Sequence, residues 1–118
     1  MKFERIYNIK KKNPDYYIIL IDGLWPRGIK KEYVDLWMKE IAPSDELRKW
    51  YSHRNERCQE FKERYRQELV QKADLINKLI EISRSKNIIL TYASKDNCNN
   101  ATVLKEYIKE LYGPEYLQ

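Results

Sequence analysis

Two apolar runs without alternation stand out, YYIILI at residues 16–21 and NIILTYA at 87–93. Short continuous runs rich in β-branched residues predict strands covered on both faces, which favours a parallel or mixed sheet. Residues 3–9 alternate loosely, with Phe3, Arg5 and Tyr7 on one side, and predict a third short strand. Residues 30–42 carry both periods. They read as a helical turn near 31–35 followed by a short strand over 36–42, with a helix over that stretch as the alternative.

Elsewhere the period is helical. Leu47, Trp50 and Tyr51 give a short helix its inward face. Ser44 is a good N-cap for it, and Asp45 and Glu46 fall in the first turn, where the helix dipole favours acids. Phe61, Tyr65, Leu69, Ala73, Ile76 and Ile80 form one stripe, predicting a single long amphipathic helix over 55–84. About 30 residues of helix would span about 45 Å, long for such a chain, so one end projects or the helix breaks. A last helix has Ala101, Leu104, Tyr107, Ile108 and Leu111 on its apolar face, Asn99 or Asn100 as its cap, and Gly113-Pro114 as its stop.

Strands alternating with helices predict an α/β fold: one domain over 1–118, a mostly parallel sheet of three or four strands packed with helices. In such sheets ligands sit beyond the carboxyl ends of the strands. Here those ends are 22–28 (DGLWPRG) and 92–96 (YASKD). Pro26 and Gly28 make the first a turn that holds Trp25 and Arg27 in place.

Composition changes this picture little. The chain has 118 residues, 42% hydrophobic and 35% charged, enough to bury a core without a metal or disulfide. Its net charge of +5 permits a polyanionic partner without requiring one, and mixed-sign helices account for most of the charge. The Lys10–Lys12 run and the arginines at 54, 57, 64 and 66 read first as solvated surface, and as phosphate contacts second. Cys58 and Cys98 lie far apart with no Cys-x-x-Cys motif, so reduced thiols are expected, with neither a disulfide nor a zinc site. No apolar run approaches the roughly 20 residues of a membrane span, and the first residues lack a signal-peptide core, so a cytoplasmic protein is expected.

No phosphate-binding glycine loop, nucleophile elbow or histidine zinc pair is present, and no metal or cofactor is expected. What remains is a constellation. If the two apolar strands are parallel neighbours, their ends bring together Asp22, Trp25, Arg27, Tyr92, Ser94, Lys95 and Asp96. Arg27 and Lys95 would hold a phosphate or carboxylate, and the last helix would add the N–H groups near Asn99. Against this, Asp22 pairing with Arg27, Trp25 in the core and 94–100 as a capping loop are equally physical. His53 and Arg48 belong to the short helix and its end. His53 is the lone histidine, and it reads either as a dipole partner or as an acid–base group.

The strand IILIDGLWPRG, the segment EIAPSDELRKWYSH, the Phe61, Tyr65, Glu68, Leu69 spacing and LTYASKD together resemble the YeaO-like branch of the domain-of-unknown-function 488 family. The resemblance covers nearly the whole chain and implies a compact, bacterial-type cytoplasmic protein. It carries the family signature onto Asp22, Leu24, Trp25, Pro26, Arg27 and Gly28, then Pro43, Ser44, Leu47, Arg48 and His53, then Tyr65, Glu68, Tyr92, Lys95 and Asn99. Two positions depart from the pattern. Gly23 stands where the family usually has Arg, and Asn100 where it often has His.

The expected function is therefore a polar, basic pocket for a phosphate-bearing small molecule, nucleotide or nucleic-acid end. One alternative is a hydrolase or transferase using Asp22, Asp96 or His53. Another is a partner-docking module built on the long helix. Either a monomer or a homodimer fits the sequence.

Overall fold

The computed structural model describes residues 1–117. Four strands form one sheet: β1 (Lys2–Arg5), β2 (Tyr17–Leu20), β3 (Leu36–Trp37) and β4 (Ile88–Tyr92), in the order β1-β4-β2-β3. All neighbours are parallel, with Ile19 opposite Leu90 and Leu36, and Arg5 opposite Tyr92. The two apolar runs are thus adjacent and central. β1 is shorter than the alternation suggested, because 6–8 turn into a 3-10 turn that buries Ile6. Residues 31–33 form the expected turn, and the strand after it keeps only Leu36 and Trp37 before a second turn at 39–41.

The helices are α1 (Asp45–Tyr51), α2 (Cys58–Val70), α3 (Ala73–Ser83) and α4 (Asn100–Tyr112). Ser44 caps α1, its hydroxyl accepting from the Leu47 N–H at 3.1 Å. Asn99 caps α4 through the Thr102 N–H at 2.9 Å, and Gly113, at φ +93, ends it. Buried residues of all four helices join Ile19, Ile21, Ile88 and Leu90 in one cluster, so the helices share a single layer on one face. Ile18, Leu20, Ile89 and Thr91 alternate onto the other face and are buried as well. Burial on both sides is what the unbroken apolar runs required.

The single helix expected over 55–84 is two. Its stripe is real over Phe61, Tyr65 and Leu69 and resumes at Ile76, Leu79 and Ile80, but Ala73 is exposed. The molecule's longest dimension is 39 Å, shorter than that helix would be. At the break the Gln71 and Lys72 N–H groups bond back three residues, to Glu68 and Leu69, and the Lys72 ammonium donates to the Ala42 carbonyl at 2.8 Å. The chain turns there so that both halves can lay their stripes on the sheet.

The cysteines also depart from expectation. Cys58, opening α2, and Cys98, in the loop before α4, form a disulfide with their Cα atoms 6.1 Å apart. A sequence separation of 40 residues hides this pairing from any local motif. No described helix is long and apolar enough to cross a membrane.

One polar bond crosses the helical layer in full burial. The Tyr65 hydroxyl donates to the Ile41 carbonyl at 2.7 Å, with Tyr65 wholly inaccessible. Tyr65→Phe leaves that carbonyl unpaired at nearly constant volume and is expected to cost about 1–3 kcal/mol. Urea denaturation midpoints at unchanged m-value check this; an unshifted midpoint contradicts it.

Candidate functional site

The strand ends meet around Asp22. β2 runs out at Leu20, yet the Ile21 N–H still bonds the Thr91 carbonyl, so Asp22 is delivered beside the end of β4. Its carboxylate accepts from the Ala93 N–H at 2.9 Å and from the Asn100 side-chain amide at 2.9 Å. The same Asn100 amide donates to the Ile21 carbonyl at 3.1 Å. Burial pushes the Asp22 carboxyl above the ordinary carboxylate range, and the Asn100 and Ala93 hydrogen bonds pull it part of the way back. Asp22 does not pair with Arg27, as one sequence reading had it. It clamps β2, β4 and the first residue of α4 together.

Trp25 is half-buried, packing edge-on to Trp37 at 5.3 Å between ring centroids, and its indole N–H donates to the Ile29 carbonyl at 2.8 Å. The Trp37 indole in turn donates to the Asp22 carbonyl at 2.6 Å. Both tryptophans therefore brace the 22–29 turn. Gly28 holds φ +79 there. Arg27 is exposed and forms no ion pair among the described residues.

Arg5, overlooked as a site residue, links the two strand-end loops. Its Nε donates to the Ala93 carbonyl at 2.9 Å, and its guanidinium stacks on the Tyr7 ring at 5.0 Å. Tyr7 Oη then donates to the Arg27 carbonyl at 2.9 Å. The alternation that put Phe3, Arg5 and Tyr7 on one side was the available signal, but it gave no hint of the partner strand. Tyr92 lies opposite Arg5 in register. Burial raises its phenol above the ordinary value, and the charge of Glu4 adds to the rise.

The remaining candidates separate into groups. Ser94 turns its own loop, its hydroxyl accepting from the Asp96 N–H at 3.2 Å. Lys95 is exposed and has no ion pair among the described residues. Asn99 caps α4 while its amide donates to the Asp96 carbonyl at 2.6 Å. Asp96 faces His53, Oδ2 to Nδ1 at 3.0 Å, and His53 follows Ser52 in the left-handed region at φ +57. Two of the three acid–base candidates thus meet, while Asp22 is engaged elsewhere. Arg48 stays on α1, paired with Asp45 at 3.4 Å. Glu68 is structural as well: its carboxylate takes the Ser44 N–H at 2.8 Å and the Ser44 hydroxyl at 2.6 Å.

The described residues include two surface clefts. One, of about 510 Å³, lies between the start of α1 and the end of α2, over Ser44, Arg64, Gln67 and Glu68. The other, of about 270 Å³, is lined by Ile9, Lys10, Gly28, Ile29, Lys30 and Tyr33 and adjoins the Arg27 turn. Neither is lined by Asp22, Tyr92 or Lys95. Among the described residues no cluster of three or more His, Cys, Asp or Glu side chains is placed to hold a metal.

Residues 1–116 match the family described as the inactive DUF488-N3 subclade. The chain belongs to the DUF488 family. A DUF488 chain of this length is matched almost end to end by the uncharacterized protein YeaO of Escherichia coli K12, 38% identical over 111 residues, 92% of this chain and 96% of YeaO. An uncharacterized protein of Mycobacterium tuberculosis H37Rv is 49% identical over 59 residues, 48% of this chain and 50% of its own length. No solved structure matches. Much of the signature expected for this DUF488 member proves to hold the fold: Asp22, Ser44, Tyr65, Glu68 and Asn99 all bond to the frame.

The raised Asp22 carboxyl has a defined effect on stability. The folded chain holds that proton more tightly than the unfolded chain. The resulting stabilisation is full below the unfolded value and is lost as pH rises through the folded one. Asn100→Leu removes a hydrogen bond that favours the ionised form, so the Asp22 titration should move further up. Carboxyl ¹³C titration of Asp22 in both proteins checks this; titration at or below the ordinary aspartate value contradicts it.

Proposed function

We propose that this DUF488 protein binds a phosphate-bearing ligand, a nucleotide or a nucleic-acid end, at the carboxyl edge of its sheet without transforming it. The observation that carries this reading is a set of cations at one edge without carboxylate partners. Among the described residues, Arg5, Arg27 and Lys95 form no ion pair. The Arg5 Nε and the Tyr7 hydroxyl hold the two loops against each other, which fixes the backbone that carries Arg27 and precedes Lys95. A phosphate takes an arginine fork and a lysine point charge with little reorganisation when the backbone is already held. Lys10 and Lys30 in the adjoining cleft continue the same sign of charge.

Binding without turnover is supported by the state of Asp22. Both of its oxygens are occupied by N–H donors, one a backbone amide and one a side-chain amide, and neither gives nor takes a proton at neutral pH. The subclade's description as inactive agrees with that. A second reading, hydrolysis or group transfer, is favoured by one contact alone, His53 Nδ1 to Asp96 Oδ2. A turnover abolished by His53→Gln at unchanged melting temperature would replace the first reading by the second.

Fluorescence anisotropy with a 5′-phosphorylated oligothymidylate tests the binding. Arg27→Gln and Lys95→Gln are each expected to weaken it about ten- to a hundredfold, the loss of one charge-assisted hydrogen bond of about 1.5–3 kcal/mol. Both side chains are exposed, so stability should stay within about 0.5 kcal/mol. Affinities equal to wild type in both variants would remove the anion site at this edge.

A further inference from the structure

We propose that the Cys58–Cys98 disulfide is a reversible redox lock on the 94–99 loop. Cys98 lies between Asp96 and Asn99, and Cys58 begins α2 directly after the turn that follows His53. Among the described residues, the loop's remaining side-chain hydrogen bonds are internal or reach α4: Ser94 to Asp96, Asn99 to Asp96, Asn99 to Thr102 and Thr102 to Asn97. Besides a contact of Cys98 Sγ with the Cys58 carbonyl at 3.8 Å, two tethers cross to the stretch from the end of α1 to the start of α2. One is the disulfide. The other is the His53–Asp96 contact, whose histidine side chain is 79% exposed, and exposed ion pairs hold chains together weakly. Cys98 is also packed in the core cluster, so the covalent bond is the strongest link between the loop and α2 and not its sole one, and the loop carries Lys95.

The two sulfurs differ in access. Cys98 is 8% exposed and Cys58 is only partly buried. A thiolate of a dithiol reductant attacks Cys58 Sγ; the S–S bond breaks and Cys98 leaves as a thiolate that takes a proton. The reductant's second thiolate then attacks its own sulfur in the mixed disulfide and expels Cys58. Two electrons pass to the protein, both cysteines end as thiols, and the reductant ends as a disulfide. Oxidised glutathione runs the change in reverse, leaving as two thiols. In the reduced state the loop keeps its internal turn and its cap on α4 but loses its covalent anchor to α2. Its effect on ligand rests on the anion-binding reading above, whereas its effect on the loop does not.

The experiment uses the full chain in dithiothreitol and in oxidised glutathione. Alkylation with iodoacetamide followed by mass spectrometry should give two adducts in the first and none in the second. Hydrogen exchange at short labelling times, while β2 and β4 stay protected, should be at least tenfold faster over 94–99 in the reduced chain. Cys58→Ser with Cys98→Ser should match the reduced wild type and ignore dithiothreitol; should that variant not fold, the wild-type comparison stands by itself. Alkylatable thiols after oxidation, a bond that resists dithiothreitol in the folded chain, or equal loop exchange in both states would overturn the proposal. The phosphorylated oligothymidylate should bind about tenfold more weakly to the reduced chain. Exchange that responds while the oligonucleotide binds neither form would reject the binding reading and leave the redox lock in place.

Discussion

A single carboxylate joins the parts of this protein that are far apart in sequence. Asp22 accepts from the backbone of Ala93, 71 residues away, and from the side chain of Asn100, 78 residues away. Asn100 closes the triangle by donating to the Ile21 carbonyl. The triangle ties the end of β2 to the end of β4 and fixes where α4 begins. Its cost is the burial of a carboxylate, visible in the raised Asp22 carboxyl. The return is that three backbone segments with otherwise open polar groups end in a satisfied network.

The edge built in this way explains why the tryptophans and the cations behave differently. Trp25 and Trp37 direct their N–H groups at the backbone of their own turn and pack on each other, so their polar handles are spent on structure. Arg5 stacks on Tyr7 and spends one N–H on the Ala93 carbonyl. Arg27 and Lys95 are exposed, Arg27 on a turn braced by these bonds and Lys95 on a loop that the Cys58–Cys98 bond ties to α2.

Much of the architecture was legible beforehand. The unbroken apolar runs announced a two-sided sheet, Ser44 one helix start, Asn99 or Asn100 another, and Gly113 a stop; Asn99 proved to be the cap. The stripe through Phe61, Tyr65 and Leu69 was right in its face and wrong in its length, because periodicity reports which side is buried and not how far a straight rod can run inside a body 39 Å long. The candidate site was legible as a neighbourhood. Asp22, Tyr92 and the loop after it were expected together, but the partners were not: Asp22 chose Asn100 over Arg27, and Asp96 chose His53. The family signature at Glu68 carried no role until its carboxylate proved to bond Ser44 across 24 residues.

What the chain's sequence determined by itself is what short-range chemistry controls. Burial writes a period into the side chains, and caps and turns require particular residues within a few positions of each other. Tertiary structure alone decided the strand order β1-β4-β2-β3, the contact of Arg5 with the end of β4, and the Cys58–Cys98 bond. Each of these depends on where a distant segment lies after the chain has crossed the sheet. No local pattern encodes that position, because a hydrogen-bond donor or a thiol looks the same in sequence whichever partner the fold brings to it.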